Sequence, residues 1–273
     1  MSEQSHVLAL LSPAFLGAAA RSDRHPDCAA FRSRLSAMSR LSVEDVALIQ
    51  GLGRASRAHP ARTEIWDGAA PGAPRVMISG WACQQRLLND GRRQIVGFLL
   101  PGDAVGSLEP PEPASDMACM ALTAVVTADA GALVAAVAGG DPAREGLARA
   151  VRLLARHETA LLRDQVVRLG RQTAYERLVH LMLELHARSR LAGLAAEADF
   201  AMPLTQDVLA DALGLSIVHV NRTLQQVRRD GLLEIRSGRV RIIDMRLMQT
   251  VADWVPAQAA MWPAGAREAG QRW

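Results

Sequence analysis

The chain has 273 residues, 49% of them apolar, and its 31 basic against 28 acidic side chains leave a net charge of +3. That is enough apolar material for more than one core and excludes a disordered polyelectrolyte. The mild positive charge permits a nucleic-acid partner without arguing for one. The three cysteines, Cys28, Cys83 and Cys119, form no CxxC pair. This excludes a zinc knuckle or a disulfide framework and fits reduced, buried thiols in a cytoplasmic protein.

Residues 1–40 read as a weakly patterned extension with short helices or little order. The apolar stretch 7–20 has acid and no arginine before it and is interrupted by Ser12-Pro13, so it is not read as a signal peptide. No run is long enough to cross a bilayer. Ser42, with Asp45 three residues on, is a helix start followed by Val46, Leu48 and Ile49, and Gly51 and Gly53 end that helix. From residue 55 to 138 the period shortens. Strands are expected at 62–67, 75–79, 82–88, 94–99 and 121–128, separated by turn pairs such as Asn89-Asp90-Gly91. Repeated short strands with such punctuation mean a sandwich or barrel; the segment 109–115, with three prolines, reads as a loop.

Asp141-Pro142 opens a long helix, cap then proline at the first position, expected to end at Gly170. Leu147, Ala150, Val151, Leu154 and Leu161 make one apolar line, joined by Glu158 and Gln165 at coiled-coil positions. Apolar residues on other faces call for a second packing surface, either within one chain or on a second copy. Thr173 and Glu176 form a capping box for a helix whose core face is Leu178, Val179, Leu181, Met182 and Leu185. Residues 191–200 read as a connector.

Residues 204–244, LTQDVLADALGLSIVHVNRTLQQVRRDGLLEIRSGRVRIID, carry the strongest pattern. Thr205 caps a helix with Val208, Leu209, Ala212 and Leu213 inward, and Gly214 ends it. Ser216 caps a second helix whose buried face is Ile217, Val220, Leu224 and Val227, leaving His219, Asn221, Arg222, Gln225 and Arg229 outward. Strands at 232–235 and 240–243 flank the hairpin turn Ser237-Gly238. This order puts one helix into a DNA major groove, where arginine pairs with guanine and asparagine with adenine. Thr205, Gln206, Ser237 and Arg239 sit at element ends, where they can reach phosphates. A last short helix follows Asp244, with Leu247, Val251 and Trp254, and then a loose tail holding Trp262 and Trp273.

LADALGLSIVHVNRTLQQVRRDGLL resembles the winged helix-turn-helix of the Crp/Fnr family of bacterial transcription regulators, close to its FixK-like members. SGW…LLNDGRRQIVGFLLPGDAVG resembles the cyclic-nucleotide-binding β-roll of the same family. The resemblance implies an α+β fold: an antiparallel β-roll at 41–140, a dimerisation helix at 141–170, a winged helix-turn-helix at 171–250 and a tail at 251–273. It implies a homodimer paired along Leu147, Val151, Leu154, Glu158, Leu161 and Gln165. DNA-facing positions would be Ser216, His219, Asn221, Arg222 and Gln225, on half-sites about 34 Å apart. An activator would also contact RNA polymerase. Val218 stands where many members carry a glutamate.

Two departures bear on the effector. The Gly-Glu and Arg-Ser/Thr pairs that hold a cyclic nucleotide correspond to Gly106-Ser107 and Ser115-Asp116 here, and no Arg, Lys or His occurs in 94–142. Burying a phosphate without a cation is costly, so no cyclic nucleotide is expected. Three cysteines, only Cys28 near the N-terminus, exclude a four-cysteine iron–sulfur cluster within the chain. His59 and His157 are weak haem candidates, and Cys83 or Cys119 is a candidate thiol switch with nothing to lower its pKa. No nucleophile–base pair, metal-ligand spacing or phosphate loop supports an enzyme. The alternative is a small-molecule or redox sensor whose winged helix binds a protein.

Overall fold

The computed structural model describes residues 27–66, 74–108 and 117–256. Ser115-Asp116, the proline loop, residues 1–26 and the tail tryptophans Trp262 and Trp273 lie outside them. Two helices come first, α1 (Ala29–Met38) and α2 (Val43–Gly51). Ser42 and Asp45 close the expected capping box at the start of α2, through Asp45 N–H to Ser42 Oγ and Ser42 N–H to Asp45 Oδ2, each 3.1 Å. Gly51 is still helical, and a single turn of 3-10 helix follows it.

Eight short strands follow: β1 (Ser56–His59), β2 (Glu64–Trp66), β3 (Arg75–Ser79), β4 (Ala82–Leu87), β5 (Arg93–Leu99), β6 (Ala104–Val105), β7 (Ala118–Ala121) and β8 (Val125–Asp129). They form two four-stranded antiparallel sheets among the described residues, in the orders β1-β8-β3-β6 and β2-β7-β4-β5. Between the sheets pack Met77, Ala82, Leu99, Val105, Cys119, Ala121 and Val125. Alternate residues of each strand reach this layer because strand side chains alternate faces.

The strand expected at 121–128 is two strands, one in each sheet. At Leu122–Ala124 the chain changes sheet beside the corner where β3 passes to β4. Leu122 N–H and Thr123 N–H both donate to Trp81 O, and Trp81 N–H donates to Thr123 Oγ1. Gly80 lies in that corner at φ +81, and a Cβ there would stand 2.1 Å from Ala124 O. The crossing therefore needs glycine for both its conformation and its space.

Helix α3 (Gly131–Ala138), absent from the sequence reading, precedes α4 (Glu145–Arg171). Helix α4 passes through Gly170 and ends only where Gln172 turns extended, ψ 147°. One glycine costs a helix only about 1 kcal/mol, so the expected break does not occur. α5 (Ala174–Leu191) starts from the Thr173–Glu176 capping box. Its expected core face is buried, and so are Leu183, His180, Glu184, His186 and Arg188.

A buried ionic network joins these layers. Asp103, in the turn before β6, pairs with Arg34 of α1 and accepts from Arg188 Nη2 of α5 at 2.8 Å. Arg188 also donates to Phe98 O at 2.7 Å and to Glu184 at 3.1 Å. Glu184 pairs with Arg168 of α4. Burial alone would raise the Glu184 carboxyl, but the Arg168 and Arg188 guanidiniums outweigh it and hold the group below its ordinary range.

Two histidines stand beside this network, buried and neutral. Burial, with Arg34 and Arg188 adding to it, pushes His157 down to about 3; burial and Arg168 push His180 down to about 4. Below the ordinary histidine value of 6.5 the unfolded chain takes up protons that these folded rings exclude. Each ring then removes up to about 1.4 kcal/mol of stability per pH unit. Asp164 acts in the opposite sense, because burial lifts it to about 6 and the folded chain keeps its proton. The two histidines outnumber it, so stability falls as pH drops from 6.5 to 4. Urea unfolding at pH 7, 6 and 5 measures this slope, and His157→Leu flattens it.

Candidate nucleic-acid interface

The C-terminal part is built from β9 (Asp199–Ala201), α6 (Gln206–Leu213), α7 (Ile217–Arg229), β10 (Leu233–Arg236), β11 (Arg239–Ile242) and α8 (Met245–Val251). The strands form one sheet, β10-β11-β9. Strand β9 lies in the stretch read as a connector; its Phe200 is buried and pairs in register with Val240.

Helix α6 is the support. Thr205 Oγ1 accepts from Val208 N–H, and Gly214 closes the helix in the left-handed region at φ 64. Neighbouring elements hold its C-terminal end. Arg93 of β5 pairs with Asp211 at 2.5 Å, and Gln94 Nε2 donates to Asp211 O at 2.9 Å. Gln165 Nε2 of α4 donates to Ala212 O at 2.9 Å, and Arg177 Nη1 of α5 to Leu213 O at 3.0 Å. Carbonyls at a helix end have no partner within the helix, so side chains of α4, α5 and β5 satisfy them here. The same bonds fix the direction of the following helix relative to the roll.

Helix α7 begins at Ser216, whose Oγ accepts from His219 N–H at 3.2 Å. Val220, Thr223, Leu224 and Val227 face the core. Ile217, expected among them, is 46% exposed. It is the first residue of the helix. Tyr175 Oη donates to Asp230 Oδ2 at 2.7 Å and ties the far end of α7 to α5.

The opposite side of α7 is a continuous ridge. Ser216, Arg222, Gln225 and Arg229 are exposed, and His219 and Asn221 are half exposed. The side chains of Asn221, Arg222, Gln225 and Arg229 make no hydrogen bond or ion pair with any described residue. Gln226, Arg228 and Val218 are also exposed there. Of these the sequence reading left out Gln226 and Arg228; helical spacing from Arg222 and Gln225 is the signal that would have found them.

Thr205 and Gln206 are exposed at the start of α6. Ser237 and Gly238 turn the hairpin, both with positive φ, 49° and 72°, the geometry of a type I′ turn. Ser237 is exposed at the tip. Arg239 is exposed too, but its guanidinium pairs with Asp199 of β9. The more open wing cation is Arg236, whose contact to Glu234 is 3.8 Å. The last helix is where expected, capped by Asp244, but Met248 rather than Leu247 faces inward.

The expected dimerisation line lies largely inside the subunit. Leu147, Val151, Leu154 and Gln165 are buried within their own chain, and Leu161 is half buried. Leu147, Val151 and Leu154 pack with Phe31 and Leu35 of α1, and Gln165 holds α6. Glu158 is exposed. The most apolar face of α4 is used by the subunit itself. The face left open carries Leu162 and Val166, 50% and 65% exposed. With Ala148, Arg152, Ala155, Thr159 and Leu169 they recur at alternating steps of four and three, the spacing that a coiled-coil seam would need.

The remaining candidate groups are buried. His59 shares a 3.0 Å hydrogen bond with Thr127 Oγ1. His157 is fully buried and has no hydrogen-bond partner among the described residues. Burial lifts the thiols of Cys28 and Cys83 to about 11 and that of Cys119 to about 12. Cys119 pairs with Gln84 and Cys83 with Met120, so the two thiols point to opposite faces of their sheet. No helix of the described residues is long and apolar enough to cross a membrane.

The Crp-like helix-turn-helix domain family matches residues 176–251, from α5 to α8. The nitrogen fixation regulation protein FixK of Bradyrhizobium diazoefficiens is 32% identical over 230 residues, which cover 83% of this chain and 92% of that protein. This chain belongs to the Crp/Fnr family of transcription regulators, in its FixK branch. The transcriptional activator protein FnrL of Cereibacter sphaeroides is 27% identical over 226 residues, covering 79% of this regulator and 87% of FnrL. Among solved structures, FixK2 from Bradyrhizobium japonicum superposes with a TM-score of 0.61 at 26% identity, over 72% of this chain and 96% of FixK2. The β-roll, long helix and DNA-binding helix-turn-helix of this regulator are those of its family.

Proposed function

We propose that this regulator works as a homodimer that reads an inverted-repeat operator, with one α7 in the major groove of each half-site. The observation that carries this reading is the α7 ridge itself. Its hydrogen-bonding side chains are unengaged while its apolar side is sealed against α5 and α6. Arg222 reads a guanine, Asn221 an adenine, and His219 and Gln225 adjoin them. Thr205, Gln206, Ser216, Ser237 and Arg236 meet phosphates, and Arg239 joins them when it leaves Asp199. The α4 seam at Leu162 and Val166 pairs the two copies. If the protein activates transcription, RNA polymerase is the further partner.

The effector is not a cyclic nucleotide in this reading. The stretch 94–142 offers no cation for its phosphate. A four-cysteine cluster within one chain lacks its ligands, because the sequence holds three cysteines. The protein acts by binding DNA, not by catalysis.

Selection from a random DNA pool by the purified protein tests the proposal. Binding weakens steeply with salt and yields an inverted repeat. Arg222→Ala costs about 1–3 kcal/mol on that repeat and relaxes one base position. Unchanged affinity in Arg222→Ala refutes the assignment. Failure to enrich any sequence turns the winged helix toward a protein partner.

A further inference from the structure

On the reading that α7 enters the major groove, we propose that Val218 is a specificity-determining residue that reads the 5-methyl group of a thymine beside the guanine read by Arg222. Val218 is 79% exposed at the first turn of α7. Arg222, Gln225 and Arg229 follow it at steps of four, three and four, so all four share one ridge. The residue is thus an isopropyl group at the head of a polar row, flanked by the half-exposed Ile217.

The chemistry of that turn leaves one partner. Helix α7 contains no Asp or Glu from Ile217 to Arg229, so no carboxylate can accept from cytosine N4. The Ser216 oxygen accepts from His219 N–H, and its remaining O–H is the group that meets a phosphate in that reading. Valine can neither donate to N7 or O6 nor accept from an exocyclic amine. Set against cytosine or adenine, it leaves a desolvated donor without a partner. The one apolar group displayed in the major groove is the thymine methyl. Four residues of helix rise about 6 Å, the height of one or two base pairs, which puts that thymine next to the guanine or one pair beyond it.

The test uses the operator selected by the full-length protein, remade with each thymine of a half-site replaced in turn by uracil. Uracil pairs like thymine and lacks only the methyl. At one position the parent binds about fourfold more weakly per half-site, and about 15-fold when both half-sites are changed, the worth of one buried methyl each. Val218→Glu shows no thymine–uracil difference there and selects cytosine at that position. Full parental affinity for every uracil operator overturns the proposal, as does Val218→Glu selecting the same thymine. Sequence-specific binding without any methyl effect sinks the Val218 assignment alone. Absence of specific binding by the parent sinks the groove reading, and the Val218 assignment with it.

Discussion

Asp103→Ala is expected to destabilise the folded chain by about 3–5 kcal/mol, the cost of leaving a buried charge without its partner. Arg34, buried and paired with Asp103, loses that carboxylate, and its Nε and Nη2 already lack hydrogen-bond partners among the described residues. Burial has lowered its guanidinium to about 9, with Arg188 adding to the effect. Leu100 N–H, which donates to Asp103 Oδ2 at 2.5 Å, is orphaned as well. Arg188 keeps Glu184 but loses its side-chain anchor on the β-roll. Domains of this size have only about 5–15 kcal/mol of stability, so the loss is a large share. Urea unfolding at fixed protomer concentration measures it. Arg34→Met added to Asp103→Ala recovers part of the loss, because it removes the stranded cation. A cost under about 1 kcal/mol, or no recovery in the double variant, contradicts the account of the network.

The second large effect concerns assembly. Leu162→Glu with Val166→Glu should raise the dimer dissociation constant at least about a thousandfold, roughly 4 kcal/mol. The pair removes two aliphatic contacts from each copy, and it places carboxylates facing one another across the axis. Both positions are solvent-facing within one subunit, so the fold survives, which circular dichroism checks. Sedimentation equilibrium reads the dimer, and operator binding weakens with it because two half-sites no longer act together. Leu154→Ala is the contrasting change. It opens a cavity costing about 2–5 kcal/mol of folding stability and leaves the dimer constant alone. A double glutamate variant that remains dimeric refutes this seam.

Much of this regulator is legible residue by residue. The capping pairs Ser42–Asp45 and Thr173–Glu176 and the caps Thr205 and Ser216 act within three residues of themselves, and each stands where the sequence puts it. The hairpin turn Ser237-Gly238 follows from backbone preference alone. The inward rows of α5, α6 and α7 follow from helical period, with Ile217 the exception at a helix start. The outward row of α7 is legible for the same reason, since what the core does not take is left to the ridge.

What the sequence could not disclose depends on which surfaces meet. Two stripes run along α4, and periodicity ranks them by apolar content without saying what covers each. The tertiary structure lays the richer stripe on α1 and leaves Leu162 and Val166 open. The strand at 121–128 reads as one run because a corner between two sheets is made by distant partners, Trp81 and Gly80. Arg239 reads as a free phosphate contact until β9 brings Asp199 beside it. The chain by itself determined its caps, turns, periods and family. Tertiary structure decided which face of each element is spent inside the subunit, because burial is a property of two surfaces and a sequence displays only one at a time.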